Sequence, residues 1–366
     1  MSPSEDAARY HRLQLVLALS GFALGVAYLV LVLASGAARA LARAAADLTP
    51  AWWAQVALVA AVLVVGHAAL SLPLGWMRGF WLPRRYGLLH QPLRAWLLDR
   101  AKGAALGGAL GLAGVLVVYA LLRATTWWWL IAAGVFFVVG IVLAALFPVL
   151  IVPLFYRVTR LTDGALEQRL LALARQVGVA AVGVFVLDQS RKSRTANAAV
   201  VGLGRTRRII LFDTLATGFR EDEVEAVLAH ELGHHVHGDM RRGLVVQGAL
   251  TLFTFGVAAW LLDAGVRWWS LAGPADPAGL PWLGLAFMAL GALQLPLANG
   301  FSRHIERQAD DFALALTHDP GAFIGAMERL GTLNLAERRP HPLKEFLLYS
   351  HPALDRRIAR ARGEAA

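Results

Sequence analysis

Six long apolar segments constrain the fold of this chain more than any other feature of its sequence. They cover residues 13–36, 52–76, 103–122, 127–150, 244–262 and 280–298. Each has about the 20 mostly apolar residues that an α-helix needs to cross the hydrocarbon core of a bilayer. Hydrophobic residues make up 57% of the chain, against about 45–50% in soluble domains. The sequence therefore predicts a multi-span helical membrane protein.

These predicted spans divide the chain into four consecutive parts. Residues 1–155 form an N-terminal membrane region with four spans, and residues 244–300 contain two more. The remaining two parts, residues 156–243 and 301–366, are more polar. An even number of spans separates the two polar segments, so both lie on the same side of the membrane and can form one domain.

Positive charges at the ends of the spans predict which side this is. The side of the polar segments has eight basic residues near the spans: Arg9, Arg12, Arg78, Arg84, Arg85, Arg94, Arg100 and Lys102. The opposite side has four: Arg39, Arg43, Arg123 and Arg267. Since Lys and Arg are enriched in cytoplasmic loops, both termini and both polar segments are predicted to be cytoplasmic. The Ala, Arg and Leu bias of the chain indicates a bacterial cytoplasmic membrane.

The formal net charge of +10 does not indicate a nucleic-acid partner. Only 16% of the residues are charged, and no dense run of Lys and Arg with interleaved aromatic residues occurs. Arginines that flank spans account for this charge, so membrane lipids are the expected partners. The chain has no cysteine, which excludes thiolate metal sites and cysteine nucleophiles. Any metal must be bound by His, Asp and Glu.

The first polar segment has the pattern of a small α+β domain. Apolar residues recur at helical spacing over 166–177, after a candidate N-cap at Thr162 or Asp163. Short β-branched runs predict strands at residues 182–187, 196–203 and 207–212. A second helical pattern begins at Glu221 and continues without a breaker through Val236. This second helix contains the residues that indicate chemistry.

Residues 230–234 read His-Glu-Leu-Gly-His. On a helix, His230 and His234 project from one face at a separation that a tetrahedral zinc ion can bridge. Glu231, beside the first histidine, can take a proton from a water that the metal activates and pass it to a leaving amine. The motif predicts peptide hydrolysis, although five residues of this pattern also occur by chance in many proteins.

A catalytic zinc site needs a third protein ligand and one open position. Glu306 is the best candidate, because the segment that leaves the sixth span lies on the same side of the membrane as the histidine pair. Asp310 follows four residues later on the same predicted helix face and can accept a hydrogen bond from a ligating histidine. The alternative is that Glu306 and Asp310 only solvate a helix beside neighbouring arginines.

The order of the motifs resembles that of the type I CAAX prenyl endopeptidases and the related heat-shock membrane metalloproteases of bacteria. The resemblance extends roughly from Phe80 to Ile358. Its markers are Arg85-Tyr86-Gly87, Asn197-Ala198, Ile210-Leu211-Phe212-Asp213-Thr214-Leu215, the His-Glu-Leu-Gly-His helix, Ser302-Arg303, Glu306, Gln308-Ala309-Asp310 and His351-Pro352. It implies a membrane zinc metallopeptidase in which Glu306 is the third ligand and Asp310 supports a histidine. This chain has six predicted spans, whereas the eukaryotic members have seven.

The resemblance also implies roles for residues outside the metal site. His351 would stabilise the oxyanion that forms during cleavage. Asn197 and Ala198 would belong to an edge strand that holds an extended substrate by β-augmentation. Arg357 would orient the substrate or its carboxylate. By residue type alone, each of these is more often a structural residue.

The sequence thus predicts a mainly α, multi-span helical membrane protein with a small cytoplasmic α+β zincin-like metalloprotease domain. It would bind one Zn²⁺ and hydrolyse peptide or protein substrates that are lipidated or embedded in the membrane. CAAX prenyl protease-like processing of lipidated tails and clearance of damaged membrane proteins both stay open. A rival from another class is a non-enzymatic transporter or scaffold with a structural zinc, which would need no glutamate next to the first histidine.

Overall fold

Long helices dominate the computed structural model, which describes residues 3–202 and 204–364. The helices in these residues are α1 (Pro3–Ala34), α2 (Ala37–Leu48), α3 (Trp52–Trp76), α4 (Leu82–Arg85), α5 (Leu93–Ala124), α6 (Trp128–Leu146), α7 (Gly164–Gln176), α8 (Asp213–Gly218), α9 (Glu221–Val236), α10 (Asp239–Trp268), α11 (Leu280–Thr317), α12 (Pro320–Leu333), α13 (Pro342–Leu348) and α14 (Leu354–Ala361). Short π-helical segments extend α3 over Met77–Trp81 and α6 over Phe147–Ile151.

Six helices of the described chain are long and apolar enough to cross a membrane. They are α1, α3, α5, α6, α10 and α11. Each contains most of one apolar segment of the sequence, although the first segment runs two residues past the end of α1 and the fourth runs four residues past the end of α6. Helix α11 has 38 residues and continues far beyond its apolar segment, 280–298. One unbroken helix therefore joins the membrane region to the second polar segment. The predicted fold class, a mainly α membrane protein with a small sheet, is confirmed.

A four-stranded sheet lies in the first polar segment. Its strands are β1 (Val158–Arg160), β2 (Val184–Leu187), β3 (Ala198–Val201) and β4 (Arg208–Phe212), in the order β1-β2-β4-β3. The central strands β2 and β4 are parallel, and each outer strand is antiparallel to its neighbour. Three strands match predicted ones, although Leu203, at the end of the second prediction, lies outside the described residues. Sequence reasoning missed β1 because three residues are too few to form an alternating pattern.

Helices α7 and α9 pack together with the sheet around one hydrophobic core. The side chain of Asp163 caps α7 by accepting hydrogen bonds from two backbone N–H groups of the first turn. Leu170 of α7, Ile209 of β4, and Leu228 and Leu232 of α9 are all fully buried in this core. The buried face of α9 therefore fixes the direction of the motif residues on its other face.

Helices α9 and α11 come unusually close at Gly233, the glycine of the His-Glu-Leu-Gly-His motif. A Cβ atom at this position would lie 3.1 Å from the Cα atom of Ala309, which is tighter than an ordinary contact. Because glycine has no Cβ, the two backbones can approach this closely. The close approach brings the part of α11 that carries Glu306 next to the two histidines.

Candidate metal centre and active site

Two histidines of α9 and one glutamate of α11 form a cluster between the helices. The side chains of His230 and Glu306 are each 8% exposed, and that of His234 is 23% exposed. Nε2 of His230 lies 3.3 Å from Oε2 of Glu306, and Nε2 of His234 lies 3.6 Å from Oε1. One ligand atom of each residue lies within 4.8 Å of the other two. The structure thus brings together all three predicted ligands.

These distances and the burial of the cluster both fit a bound metal. Zinc–ligand bonds of about 2.0–2.2 Å at tetrahedral angles separate the ligand atoms by about 3.3–3.5 Å. Both measured N···O distances are near this range. In addition, Oε2 of Glu306 is buried and has no hydrogen-bond partner among the described residues. A buried carboxylate oxygen in this situation is costly unless a cation lies beside it. His230, His234 and Glu306 therefore suit a divalent cation.

A carboxylate lies behind each histidine. Nδ1 of His230 is 2.8 Å from Oδ1 of Asp310, a close contact without the alignment of an ideal hydrogen bond. Nδ1 of His234 is 2.9 Å from Oδ2 of Asp239. A carboxylate in this position keeps a proton on Nδ1 and leaves Nε2 free to bind a metal. The sequence predicted Asp310 as such a partner and missed Asp239.

Asp239 reaches His234 because the chain turns sharply between α9 and α10. Gly238 has a φ of 67°, a left-handed conformation that glycine adopts without strain. Asp239 then begins α10 with its side chain buried. Arg242 donates hydrogen bonds to Asp239 (2.9 Å) and to Gln308 of α11 (2.7 Å), which ties the start of α10 to α11. The sequence signal for this residue was a Gly-Asp pair that follows the histidine motif after three residues.

Glu231 follows the first histidine and is partly buried. Burial raises the pKa of its carboxyl group. A carboxylate with a raised pKa is a better proton acceptor near neutral pH. The environment of Glu231 therefore suits a general base.

His351 approaches the cluster from the loop between α13 and α14. Its Nε2 lies 3.3 Å from Oε1 of Glu306, while 58% of its side chain remains exposed. Nδ1 lies 2.9 Å from the hydroxyl oxygen of Ser350. His351 thus lies beside the cluster of His230, His234 and Glu306 and keeps an exposed side chain.

Arg357 forms a bidentate ion pair with Asp310. Its Nη2 donates to Oδ1 at 2.7 Å and its Nε donates to Oδ2 at 2.9 Å. Such a pair fixes the carboxylate in place as well as balancing its charge. Arg357 therefore helps to hold Asp310 against His230, a contact that sequence reasoning did not anticipate.

Asn197 and Ala198 lie at the start of β3, an outer strand of the sheet. The backbone N–H of Phe212 in β4 donates to the carbonyl of Asn197 at 2.9 Å. Because backbone groups alternate in direction along an antiparallel strand, the N–H and C=O of Ala198 point away from β4. Farther along this edge, Nε2 of His235 lies 3.1 Å from the carbonyl of Val200. Among the described strands, β3 pairs only with β4, so the carbonyl of Ala198 lies at an edge of the sheet, whereas its N–H donates to Oδ1 of Asn197 at 3.0 Å.

A cavity of about 500 Å³ brings together three of the four residues to which the resemblance gives a role outside the metal site. Asn197, His351 and Arg357 all line it, together with Phe212 and Tyr349. Since His351 also contacts Glu306, this cavity adjoins the metal cluster. The start of β3 at Asn197 therefore opens into a space beside the cluster of His230, His234 and Glu306.

Comparison with known proteins assigns both parts of the chain to one family. Residues 160–365 match the model of peptidase family M48. Residues 4–157 match the model described as CAAX prenyl protease N-terminal, five membrane helices. The family matches thus cover the membrane region and the polar segments in the order in which they occur here.

Individual relatives agree with this assignment. YhfN of Bacillus subtilis, named an uncharacterized metalloprotease, is 29% identical over 100% of this chain and 87% of its own length. A CAAX prenyl protease 1 homolog of Arabidopsis thaliana is 30% identical over 80% of this chain and 70% of the relative. The crystal structure of S. mikatae Ste24p superimposes with a TM-score of 0.83 at 25% identity, covering 98% of this chain and 88% of that chain. The chain therefore belongs to peptidase family M48 and is an integral-membrane metalloprotease.

Proposed function

We propose that the chain is a zinc metalloendopeptidase with a mechanism like that of the CAAX prenyl proteases. This proposal rests on one observation. His230, His234 and Glu306, which come from two helices, lie at distances that suit one Zn²⁺. Two histidines and one glutamate are a known ligand set of catalytic zinc sites, which keep a fourth position open. A structural site would instead use four protein ligands.

Each residue around the cluster would have a separate role in peptide hydrolysis. Zn²⁺, when bound, would polarise the scissile carbonyl and lower the pKa of a water molecule. Glu231 would accept a proton from the attacking water and later donate it to the leaving amine. His351 would donate a hydrogen bond to the substrate oxygen as it gains negative charge. Asp310 and Asp239 would hold the two histidine rings in the orientation that binding requires.

The substrate that suits this site is an extended peptide or protein segment. The backbone carbonyl of Ala198 would accept a hydrogen bond from it by β-augmentation. The N–H of Ala198, which donates to Oδ1 of Asn197, would exchange this partner for a substrate carbonyl, and Asn197 would hold the adjoining residues. Arg357 would orient the substrate from the wall of the same cavity. Because α11 joins the site directly to a membrane span, lipidated or membrane-embedded substrates would reach it from the bilayer.

Removal of the metal should abolish cleavage. The full chain, purified in detergent, is treated with 1,10-phenanthroline and assayed on a fluorogenic CAAX peptide in farnesylated and unmodified forms. We expect the rate to fall at least about 100-fold, since Lewis-acid activation contributes several kcal/mol to such reactions. Stoichiometric Zn²⁺ should restore the rate, and the non-chelating isomer 1,7-phenanthroline should leave it unchanged. Full activity of a chain depleted of zinc would contradict the proposal.

We also propose that the metal centre and both termini face the cytoplasm of a bacterial cell. Because the chain has no cysteine, a single introduced cysteine reports the side of the membrane on which it lies. Val182 is 52% exposed in the α+β part, and Ala272 is exposed in the segment between α10 and α11. In spheroplasts, a membrane-impermeant maleimide should label the Ala272→Cys chain at once and the Val182→Cys chain only after lysis. The reverse pattern would show the opposite orientation.

A further inference from the structure

A cavity of about 400 Å³ beside the metal centre is lined by five arginines. These are Arg303, Arg307, Arg356, Arg357 and Arg360. The cavity lies between α11, α13 and α14, and the apolar residues Pro342 and Phe346 border it. The mechanism of peptide hydrolysis uses only Arg357 from this set. The other four arginines have no role in the proposed reaction.

Carboxylates neutralise three of the five arginines. The ion pairs are Arg356 with Glu345, Arg357 with Asp310, and Arg360 with Asp311. In residues 3–202 and 204–364, Arg303 and Arg307 have no ion pair with a carboxylate. The charges that act on Arg303 are those of Arg307 and Arg356, which are also positive. The cavity therefore has two uncompensated positive charges. These charges favour the binding of an anion.

Hydrogen bonds hold Arg303 in a fixed position and leave some of its N–H donors unused. Its Nη1 donates to the backbone carbonyls of Glu345, Phe346 and Tyr349, at 2.9, 3.3 and 2.6 Å. A guanidinium group has five N–H donors, and these three contacts all use Nη1. The donors on Nε and Nη2 remain for a ligand. Arg307, one helical turn later on α11, is exposed.

From its distance to the end of the apolar segment, we expect the cavity to lie at the depth of lipid headgroups. The apolar segment of α11 ends at Ala298, so Arg303 and Arg307 lie about 7.5 Å and 13.5 Å farther along the helix axis. The headgroup region adds about 5–8 Å beyond the hydrocarbon core on each side, and an arginine side chain can extend back into it. The guanidinium groups can therefore contact phosphates of the adjacent leaflet.

Helix α13 presents an apolar surface next to these arginines. Leu343, Phe346 and Leu348 are 59%, 54% and 43% exposed. The side-chain amide of Asn299 donates to the carbonyl of Leu347 at 2.7 Å, which fixes α13 at the level where α11 leaves the apolar segment. Exposed apolar residues at this depth suit the boundary between headgroups and acyl chains.

We propose that this cavity binds the headgroup of an anionic phospholipid from the adjacent leaflet. The phosphate lies between Arg303 and Arg307, and the acyl chains lie along the apolar surface of α13. Guanidinium groups bind phosphate through several hydrogen bonds at once, and basic pockets beside spans bind anionic headgroups. The free donors of Arg303 meet the phosphate, while Leu343 and Phe346 explain why the ligand is a lipid rather than a soluble anion.

The test counts the lipids that the purified full chain retains. The chain is reconstituted with equal amounts of phosphatidylglycerol and phosphatidylcholine, extracted in mild detergent and examined by native mass spectrometry. We expect phosphatidylglycerol to be retained preferentially. Arg307→Gln should reduce this preference about five-fold, the factor that one basic side chain contributes at an anionic membrane surface. Because Arg307 is exposed and has no carboxylate partner in the described chain, its substitution leaves the fold intact.

Two further variants separate a lipid site from other sources of binding. Arg94→Gln removes an exposed arginine of the first turn of α5, outside this cavity, and should leave the preference unchanged. An equal effect of Arg94→Gln would mean general attraction to the surface and would overturn the proposal. Leu343→Ser should also lower retention of phosphatidylglycerol. If it has no effect and inorganic phosphate displaces the lipid completely, the cavity is a site for free phosphate and the proposal is wrong.

Discussion

Replacement of Glu231 by glutamine should lower the rate of peptide cleavage by roughly 10²–10⁴-fold, the contribution of a general acid–base group. Glutamine preserves the shape of the side chain and cannot accept the proton of the attacking water. The metal should remain bound at about one Zn²⁺ per chain, since the cluster of possible ligands consists of His230, His234 and Glu306. The rate is measured with the fluorogenic peptide, and the zinc content by inductively coupled plasma mass spectrometry.

Glu221→Gln is the matched control for this variant. Glu221 lies at the start of the same helix, and its side chain is 54% exposed in an ion pair with Arg169. Exposed pairs of this kind contribute about 0–1 kcal/mol, so both activity and zinc content should stay unchanged. Retained cleavage by Glu231→Gln would overturn the proposed mechanism. Loss of zinc from that variant would instead identify Glu231 as a ligand.

Replacement of Glu306 by alanine should remove both the metal and the activity. Even carboxylates that only support a ligand contribute about 10–100-fold to metal affinity, so loss of a direct ligand should weaken zinc binding by at least about 100-fold. The measurement is zinc content after dialysis against a competing chelator, together with the peptide assay. Activity should fall in proportion to occupancy, because the remaining residues cannot activate water by themselves.

His304→Ala provides the control on the same helix. His304 is an exposed residue two positions before Glu306, so its removal should affect neither zinc content nor cleavage. If Glu306→Ala binds zinc as tightly as the unchanged chain, the third ligand lies elsewhere. That result would overturn the assignment of Glu306. The family assignment would still stand, because it rests on independent comparisons.

The features that could be predicted from the sequence depend on short-range patterns or on topology. The six spans follow from length and hydropathy, because a helix must satisfy its own backbone hydrogen bonds in lipid. His230 and His234 follow from the spacing of one helical turn. Glu306 required only that an even number of spans separates the two polar segments. These three residues come together in the structure, and no further sequence signal was needed to predict that they would.

The features that were missed depend on the tertiary structure rather than on local sequence patterns. Arg357 pairs with Asp310 across 47 positions of the chain, and no periodic pattern encodes that distance. Asp239 is near His234 in sequence, but its direction depends on the left-handed turn at Gly238. The basic cavity likewise exists because α13 folds back on α11 through Asn299. Such packing is decided by the whole tertiary structure rather than by local preference.

The unbroken length of α11 has a mechanical consequence for catalysis. Its 38 residues extend over about 57 Å, and membranes whose thickness does not match a span change its tilt. Glu306 lies about 12 Å beyond Ala298 along the helix, so a change of about 5° in tilt moves it by about 1 Å relative to the membrane. Because α9 packs against α11 where Gly233 meets Ala309, the two histidines would move together with Glu306. A bilayer of different thickness would therefore change the depth and direction of the site rather than the distances between His230, His234 and Glu306.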